Sequence, residues 1–183
     1  MKLVVGLGNP GKKYENTRHN VGFDFINSLA NGNKFKLKFN GEYIKLNIHN
    51  EDVILLKPLS YMNLSGKVVK DYINYFKISI DDILIISDDL DMNIGKIKTK
   101  YSGSSGGHNG LKDIEKYIGT KDYKRFKIGI ANDKTVNTAD YVLGHFNQED
   151  QKKLNDVYSH SYDIINDYIC LTFDNFMTKY NKK

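Results

Sequence analysis

Three short hydrophobic segments constrain the fold of this chain most strongly. They read KLVVGL at residues 2–7, VILLK at 53–57 and ILIIS at 83–87. Short apolar runs bounded by turn residues are typical of buried strands, and none approaches the ~20 residues that a membrane-spanning helix needs. Segments with helical periodicity lie between them. The pattern therefore predicts an α/β protein with a mixed sheet, and the length of 183 residues suits a single domain over 1–183.

The other elements are predicted from periodicity and turn signals. The Asn40-Gly41 dipeptide indicates a β-hairpin between residues 34–40 and 43–48. Further strands are expected at 94–100 and 125–131. Helices are expected at 19–31, at 61–76, from Gly107 or His108 to about Tyr117, from about Asn147 to Ile169, and at the C-terminus. Functional residues of such sheets collect beyond the carboxyl ends of the strands.

The charge of the chain favours a polyanionic partner. The net charge is +5, and the only arginines are Arg18 and Arg125. Because lysine is a point charge suited to phosphate, the composition favours contact with a nucleic-acid backbone over reading of bases. The single cysteine, Cys170, excludes an intrachain disulfide and a cysteine-based zinc site, and we expect it to be buried. The N-terminus lacks the pattern of a signal peptide, so we expect a cytoplasmic protein.

The first glycine-rich segment follows the strand at 2–7. Its glycines match G-x-G-x-x-G, but Pro10 and polar residues delay the helix to about His19. A dinucleotide site needs the helix to begin at the third glycine, so this reading is disfavoured. His19 lies at a loop-to-helix junction, where a histidine either caps the helix or acts in a site; the nearby Asn9 and Tyr14 favour a site.

An acidic segment, residues 87–95, follows the most hydrophobic strand. It begins like a calcium-binding EF-hand loop, but its sixth position is Ile94 and its twelfth is Lys100. Asp88 directly follows the strand and is well placed to be the carboxylate partner of a histidine. Asp91 is as well explained by capping of the turn.

Two further segments place polar side chains at helix starts. In KPLSYMNLSG, residues 57–66, Asn63 is either a cap or an amide in a cleft. Residues 103–107 match G-x-S-x-G around Ser105, but the strand before them is polar, unlike that of a serine hydrolase. We expect a mobile loop whose helix N-terminus, beside His108, forms a phosphate site.

Together these segments resemble bacterial-type peptidyl-tRNA hydrolase. GLGNPGKKYENTRHNVG at 6–22 is similar to the first signature of that family, and GGHNGLKDI at 106–114 to the second. KPLSYMNLSG and DDLDMNIG match in order and spacing between them. The resemblance covers essentially the whole chain. It implies a monomeric single domain with a twisted mixed β-sheet flanked by helices, and hydrolysis of the ester between peptide and tRNA without a cofactor or metal.

The resemblance also implies roles for individual residues. His19 matches the catalytic histidine, Asp88 the aspartate that supports it, and Asn9 the asparagine that distinguishes peptidyl from aminoacyl ends. Lys100 matches a basic residue implicated in tRNA binding. The expected substrate-binding residues are Asn9, Tyr14, Tyr61, Met62, Asn63 and Asn109, and the expected phosphate-binding residues are Lys98, Lys100, His108 and Lys127.

The chain departs from the family pattern at two places. Lys127 stands where arginine is common, and Ala131-Asn132-Asp133 stands where Gly-Arg-Pro or a similar sequence is common. Lysine keeps the charge but loses bidentate phosphate geometry, so the departures concern tRNA contact. A serine esterase using Ser105 and a noncatalytic RNA-binding module are the alternative hypotheses.

Overall fold

A computed structural model describes residues 1–182 and shows a seven-stranded mixed sheet. The strands are β1 Lys2–Gly6, β2 Lys36–Lys38, β3 Gly41–Ile48, β4 Glu51–Pro58, β5 Ile83–Asp89, β6 Ile97–Ser102 and β7 Asp122–Gly129. They lie in the order β2-β3-β4-β1-β5-β7-β6. β1 runs parallel to β4 and β5, and β7 parallel to β5, whereas β2, β3 and β6 join by antiparallel pairing. The mixed sheet predicted from the sequence is confirmed.

Helices cover both faces of the sheet. They are α1 Val21–Ala30, α2 Ser65–Phe76, α3 Asn109–Ile118, α4 Thr138–Val142, α5 Gln148–Ser159, α6 Ser161–Cys170 and α7 Phe173–Tyr180. Side chains alternate across β1, so that Val4 packs with α1, α5 and α6 while Leu3 and Val5 pack with α2 and α3. Within residues 1–182, no helix combines the length and hydrophobicity needed to cross a membrane.

The long helix predicted over 147–169 is wrong, because the chain forms α5 and α6 with a break at His160. The Ser28 hydroxyl of α1 donates a 2.8 Å hydrogen bond to the Tyr158 carbonyl, which an unbroken helix would use internally. His160 then leaves the helical conformation at φ −97° and ψ 7°. The break lets both helices pack on α1.

The prediction that Cys170 is buried is also wrong. Cys170 is the last residue of α6 and is exposed, not buried as expected. The helix turns Tyr168 inward in its place, and Tyr168 keeps only 3 % of its surface exposed.

A close approach of α1 to β1 positions the start of the helix. A Cβ on Gly22 would lie 2.5 Å from the Leu7 nitrogen, and one on Gly6 would lie 2.2 Å from the Gly22 carbonyl oxygen. Only glycine fits at both places. The turn Arg18–Asn20, which leads into α1, therefore lies against the carboxyl ends of β1 and β5, where Asp88 is located.

Candidate active site

The centre of the site is a hydrogen bond between His19 and Asp88. His19 Nδ1 lies 2.9 Å from Asp88 Oδ1, and the two side chains are 12 % and 3 % exposed. A carboxylate oxygen can only accept, so the ring nitrogen carries the proton and donates it. The neutral imidazole then keeps its lone pair on Nε2, the nitrogen not bonded to Asp88. His19 is thus arranged as a base.

His108 donates to the same carboxylate oxygen. It is the N-cap of α3, and its Nδ1 accepts the Leu111 backbone N–H at 3.3 Å. The ring proton therefore resides on Nε2, which lies 2.9 Å from Asp88 Oδ1. The two imidazole rings are 5.1 Å apart between centroids. Both ring nitrogens of His108 are used inside the protein, which differs from the phosphate contact predicted for it.

Burial and charge act in opposite directions on these groups. Burial alone would lower the pKa of His19, but the charge of Asp88 and its hydrogen bond outweigh burial and leave the pKa raised above the usual value. Burial alone would raise the pKa of Asp88, yet the two histidines hold it well below the usual range of a carboxyl group. Asp88 therefore remains an anion that favours the protonated form of His19.

The same three side chains also have donor atoms of the kind that bind metals. One nitrogen from each histidine and a carboxylate oxygen of Asp88 lie within 4.8 Å of one another. Within residues 1–182, no other three His, Cys, Asp or Glu side chains bring their ligand atoms this close together. The hydrogen bonds account for these short separations, and each uses a ring nitrogen that a metal would need.

A cleft of about 550 Å³ opens over these residues. The loop before α3 and Asn109, the first residue of that helix, line it together with α4 and the residue just before it. The lining residues include His19, Asp88, His108, Asn109, Lys127 and Asn132.

Comparison with known proteins assigns the chain to a family. The family model for peptidyl-tRNA hydrolase matches residues 3–183. This chain belongs to the peptidyl-tRNA hydrolase family. It is 45 % identical to the peptidyl-tRNA hydrolase of Lactobacillus helveticus, over 99 % of this chain and 100 % of that protein. It is 42 % identical to that of Listeria welshimeri, again over 99 % and 100 %.

Solved structures of peptidyl-tRNA hydrolase share the fold. The crystal structure of the Acinetobacter baumannii protein superimposes with a TM-score of 0.90 at 36 % sequence identity, covering 99 % of this chain and 94 % of that one. The single mixed sheet with helices on both faces is therefore the peptidyl-tRNA hydrolase fold, and the resemblance inferred from the sequence motifs is confirmed.

Hydrogen bonds to its side chain and its backbone hold Asn9 in a fixed orientation. Its Oδ1 accepts the Met62 backbone N–H at 2.7 Å, which requires oxygen on that side and leaves Nδ2 as the free end of the amide. Asn20 holds the Asn9 backbone from both sides, accepting from its N–H at 2.8 Å and donating to its carbonyl at 2.9 Å. Asn9 borders a separate cavity of about 320 Å³ with Pro10.

The other predicted substrate residues lie around Asn9. Tyr14 and Tyr61 form an edge-to-face pair with centroids 6.3 Å apart, and Tyr61 is 52 % exposed. Met62 is buried. Its sulfur packs closely on α3, where a Cβ added to Gly110 would lie only 2.6 Å from it. Asn63 is exposed in the turn Met62–Leu64. The lining of the large cleft includes Asn109 but none of these side chains.

The predicted lysines share one face of the sheet edge. Lys98 on β6 lies directly opposite Lys127 on β7, and Lys100 follows on the same face. Burial, together with the charges of Lys127 and Lys98, lowers the pKa of Lys100. Lys127 is held by Asp89, with Nζ 2.5 Å from Oδ2. Lys98 and Lys100 thus present their charges at the edge, while that of Lys127 is offset by a carboxylate.

Ser105 lacks the partner that a serine nucleophile requires. It lines the cleft, and its carbonyl accepts the His108 N–H at 3.0 Å. Within residues 1–182 its hydroxyl makes no hydrogen bond to a histidine or other base, so the geometry does not activate it.

Sequence reasoning missed two features of the site. These are the bond from His108 to Asp88 and the orientation of Asn9 by Asn20. The first had a detectable signal, a histidine at a helix start in a chain with only five histidines.

Proposed function

We propose that the protein hydrolyses the ester bond of peptidyl-tRNA with His19 as general base and Asp88 as its support. The observation that carries the proposal is the 2.9 Å bond from His19 Nδ1 to Asp88, which leaves Nε2 as the basic nitrogen beside the 550 Å³ cleft. Membership of the peptidyl-tRNA hydrolase family supports the choice of substrate.

The reaction follows from this arrangement. A water molecule near His19 Nε2 gives up its proton to the ring as its oxygen attacks the ester carbonyl carbon. Asp88 fixes the reactive tautomer and stabilises the imidazolium that forms. The tetrahedral intermediate then breaks its bond to the ribose oxygen, which takes the proton from the imidazolium. The products are the free hydroxyl of the tRNA and the carboxylic acid of the peptide, which gives its proton to solvent at neutral pH.

His108 and the amides act on either side of this step. His108 gives Asp88 Oδ1 a second hydrogen bond, so the carboxylate stays in place when His19 becomes charged. The free Nδ2 of Asn9 and the side chain of Asn109 are donors suited to carbonyl oxygens of the peptide. No step requires a cofactor.

We expect the tRNA backbone to lie along the lysines of β6 and β7. The side chains in this proposal all come from one chain, which fits action as a monomer. Since the substrate arises during translation, we expect the protein to act in the cytoplasm.

Release of the peptide from a purified peptidyl-tRNA tests the proposal. We expect turnover of N-blocked aminoacyl- or peptidyl-tRNA and much slower loss of the amino acid from aminoacyl-tRNA as control. Tight tRNA binding without turnover would instead support a noncatalytic RNA-binding module, and labelling of Ser105 by a serine-directed reagent would support a serine esterase.

Asn9→Ala is expected to reduce the preference of the protein for peptidyl-tRNA over aminoacyl-tRNA. The free amino group of aminoacyl-tRNA is largely charged, and a site built for a neutral peptide amide leaves that charge poorly solvated. Removal of the Nδ2 donor weakens recognition of the peptide end. The ratio of kcat/KM for peptidyl- and aminoacyl-tRNA measures the effect, and an equal loss on both substrates would assign Asn9 a structural or catalytic role.

Lys100→Ala is expected to weaken tRNA binding and to flatten its salt dependence by about one unit of log Kd per log salt. Lys100 lies on the lysine-bearing face beside Lys98 and Lys127. Lys36→Ala is the matched control, because Lys36 is an exposed lysine on β2, the opposite edge strand. If both variants show the wild-type slope, Lys100 makes no phosphate contact.

A further inference from the structure

The wall segment, residues 137–146, lines part of the same cleft as the loop before α3. Asn137, Thr138, Ala139 and Val142 line the cleft. Its helix α4 has only five residues, fewer than an isolated helix needs to be stable. Contacts to the rest of the protein must therefore fix its position.

Arg18 supplies the densest set of these contacts. Its backbone N–H donates to the Gly144 carbonyl at 3.0 Å, and its Nη1 donates to the Tyr141 carbonyl at 3.1 Å. The guanidinium lies over the Tyr141 ring, with Cζ 4.1 Å from the centroid, and 5.4 Å from the Phe146 centroid. Arg18 thus binds the wall segment through backbone, side-chain charge and ring stacking.

The surroundings of Arg18 are shaped for this contact. The Tyr141 hydroxyl donates to the Ile130 carbonyl at 2.8 Å, so the ring is held between Arg18 and the end of β7. A Cβ on Gly144 would lie 2.5 Å from Arg18 Nη1, so glycine leaves the space that the guanidinium occupies. Thr17 and His145 form a further bridge next to it.

We propose that Arg18 is a positioning residue that fixes the substrate-facing wall of the cleft by clamping Tyr141 and Gly144. Arg18 directly precedes His19, so a single turn of chain holds both the proposed base and the wall segment. The role of this wall in substrate binding rests on the proposed function. A lysine at position 18 would keep the charge. It would lack the planar group that stacks on the Tyr141 ring and at the same time donates a hydrogen bond to the Tyr141 carbonyl.

Hydrogen exchange and steady-state kinetics of Arg18→Ala test the proposal. We expect amides of the wall segment, including that of Gly144, to exchange faster, while the Ile130 amide, bonded to the Asp89 carbonyl, is unchanged. We expect KM for peptidyl-tRNA to rise on the order of 10-fold with a smaller change in kcat. This pattern results when a variant loses binding energy that the substrate and the transition state share.

Four further variants complete the experiment. Arg18→Lys should retain most of the defect of Arg18→Ala. The double variant of Arg18→Ala and Tyr141→Ala should show less than the sum of the two single effects, because the two side chains share the stacking contact. Lys134→Ala removes an exposed cation just before the wall segment and should match wild type. If Arg18→Ala fails to fold, Gly144→Ala, whose methyl group displaces the guanidinium, should give the same changes in milder form.

Several outcomes would overturn the assignment. Unchanged hydrogen exchange in the wall segment of Arg18→Ala would do so. A direct phosphate contact would also do so; it is indicated if Arg18→Lys restores the wild-type KM and Arg18→Ala reduces the salt dependence of tRNA binding. A shifted acid limb of kcat/KM would mean that Arg18 acts on His19 instead. If the wild-type protein has no turnover, the proposed function fails, while the exchange experiment still decides whether Arg18 holds the wall.

Discussion

Replacing His19 with alanine is expected to lower kcat/KM for peptidyl-tRNA by roughly 10²–10⁴-fold while the protein stays folded, as for removal of a general base. The side chain extends from a short turn and forms a hydrogen bond to Asp88. It is not part of the hydrophobic core. Its loss therefore removes the basic nitrogen of the cleft without leaving a large cavity. Single-turnover release of the peptide measures the chemical step.

His160→Ala is the matched control. His160 lies between α5 and α6 with a side chain 60 % exposed, away from the cleft. It should keep wild-type turnover, and the melting temperature of both variants should show that they are folded. Wild-type kcat in a folded His19→Ala protein would remove His19 from the mechanism and leave the water to be activated by another group.

The sequence predicted the central strands of the sheet because their signals are local. The runs that form β1, β4 and β5 are hydrophobic enough to be buried on both faces, and Asn40-Gly41 marks the β2–β3 turn. The break at His160 was missed because the contacts around it, including the hydrogen bond from Ser28 to the Tyr158 carbonyl, join residues more than a hundred positions apart. A long-range contact of this kind leaves no trace in the periodicity of α5 and α6.

The candidate site was predictable to a different degree at each residue. His19 and Asp88 could be paired because both lie at junctions that a parallel sheet brings to one edge. His108 was assigned to phosphate from its place at a helix start, but its ring turns inward to Asp88. Which way a side chain turns at a helix N-terminus depends on neighbours distant in sequence, and the sequence does not supply them.

Asp88→Asn is expected to move the acid limb of the pH profile of kcat/KM to lower pH and to lower its plateau by roughly 10²–10⁴-fold. In the wild-type protein burial lowers the pKa of His19, and the charge and hydrogen bond of Asp88 outweigh it. Asparagine removes the charge but not the burial, so the pKa of His19 falls. The base stays deprotonated to lower pH, and the limb follows it.

The plateau falls because an amide can present either end to the ring, so it neither enforces the tautomer with Nε2 free nor stabilises the imidazolium. Asp156→Asn, the same charge change at a side chain 80 % exposed, should leave both limb and plateau in place. If Asp88 only stabilised the turn after β5, Asp88→Asn would lower the melting temperature and leave the acid limb unmoved. The pH profile and the melting curve, measured side by side, therefore separate a role in proton transfer from a role in folding.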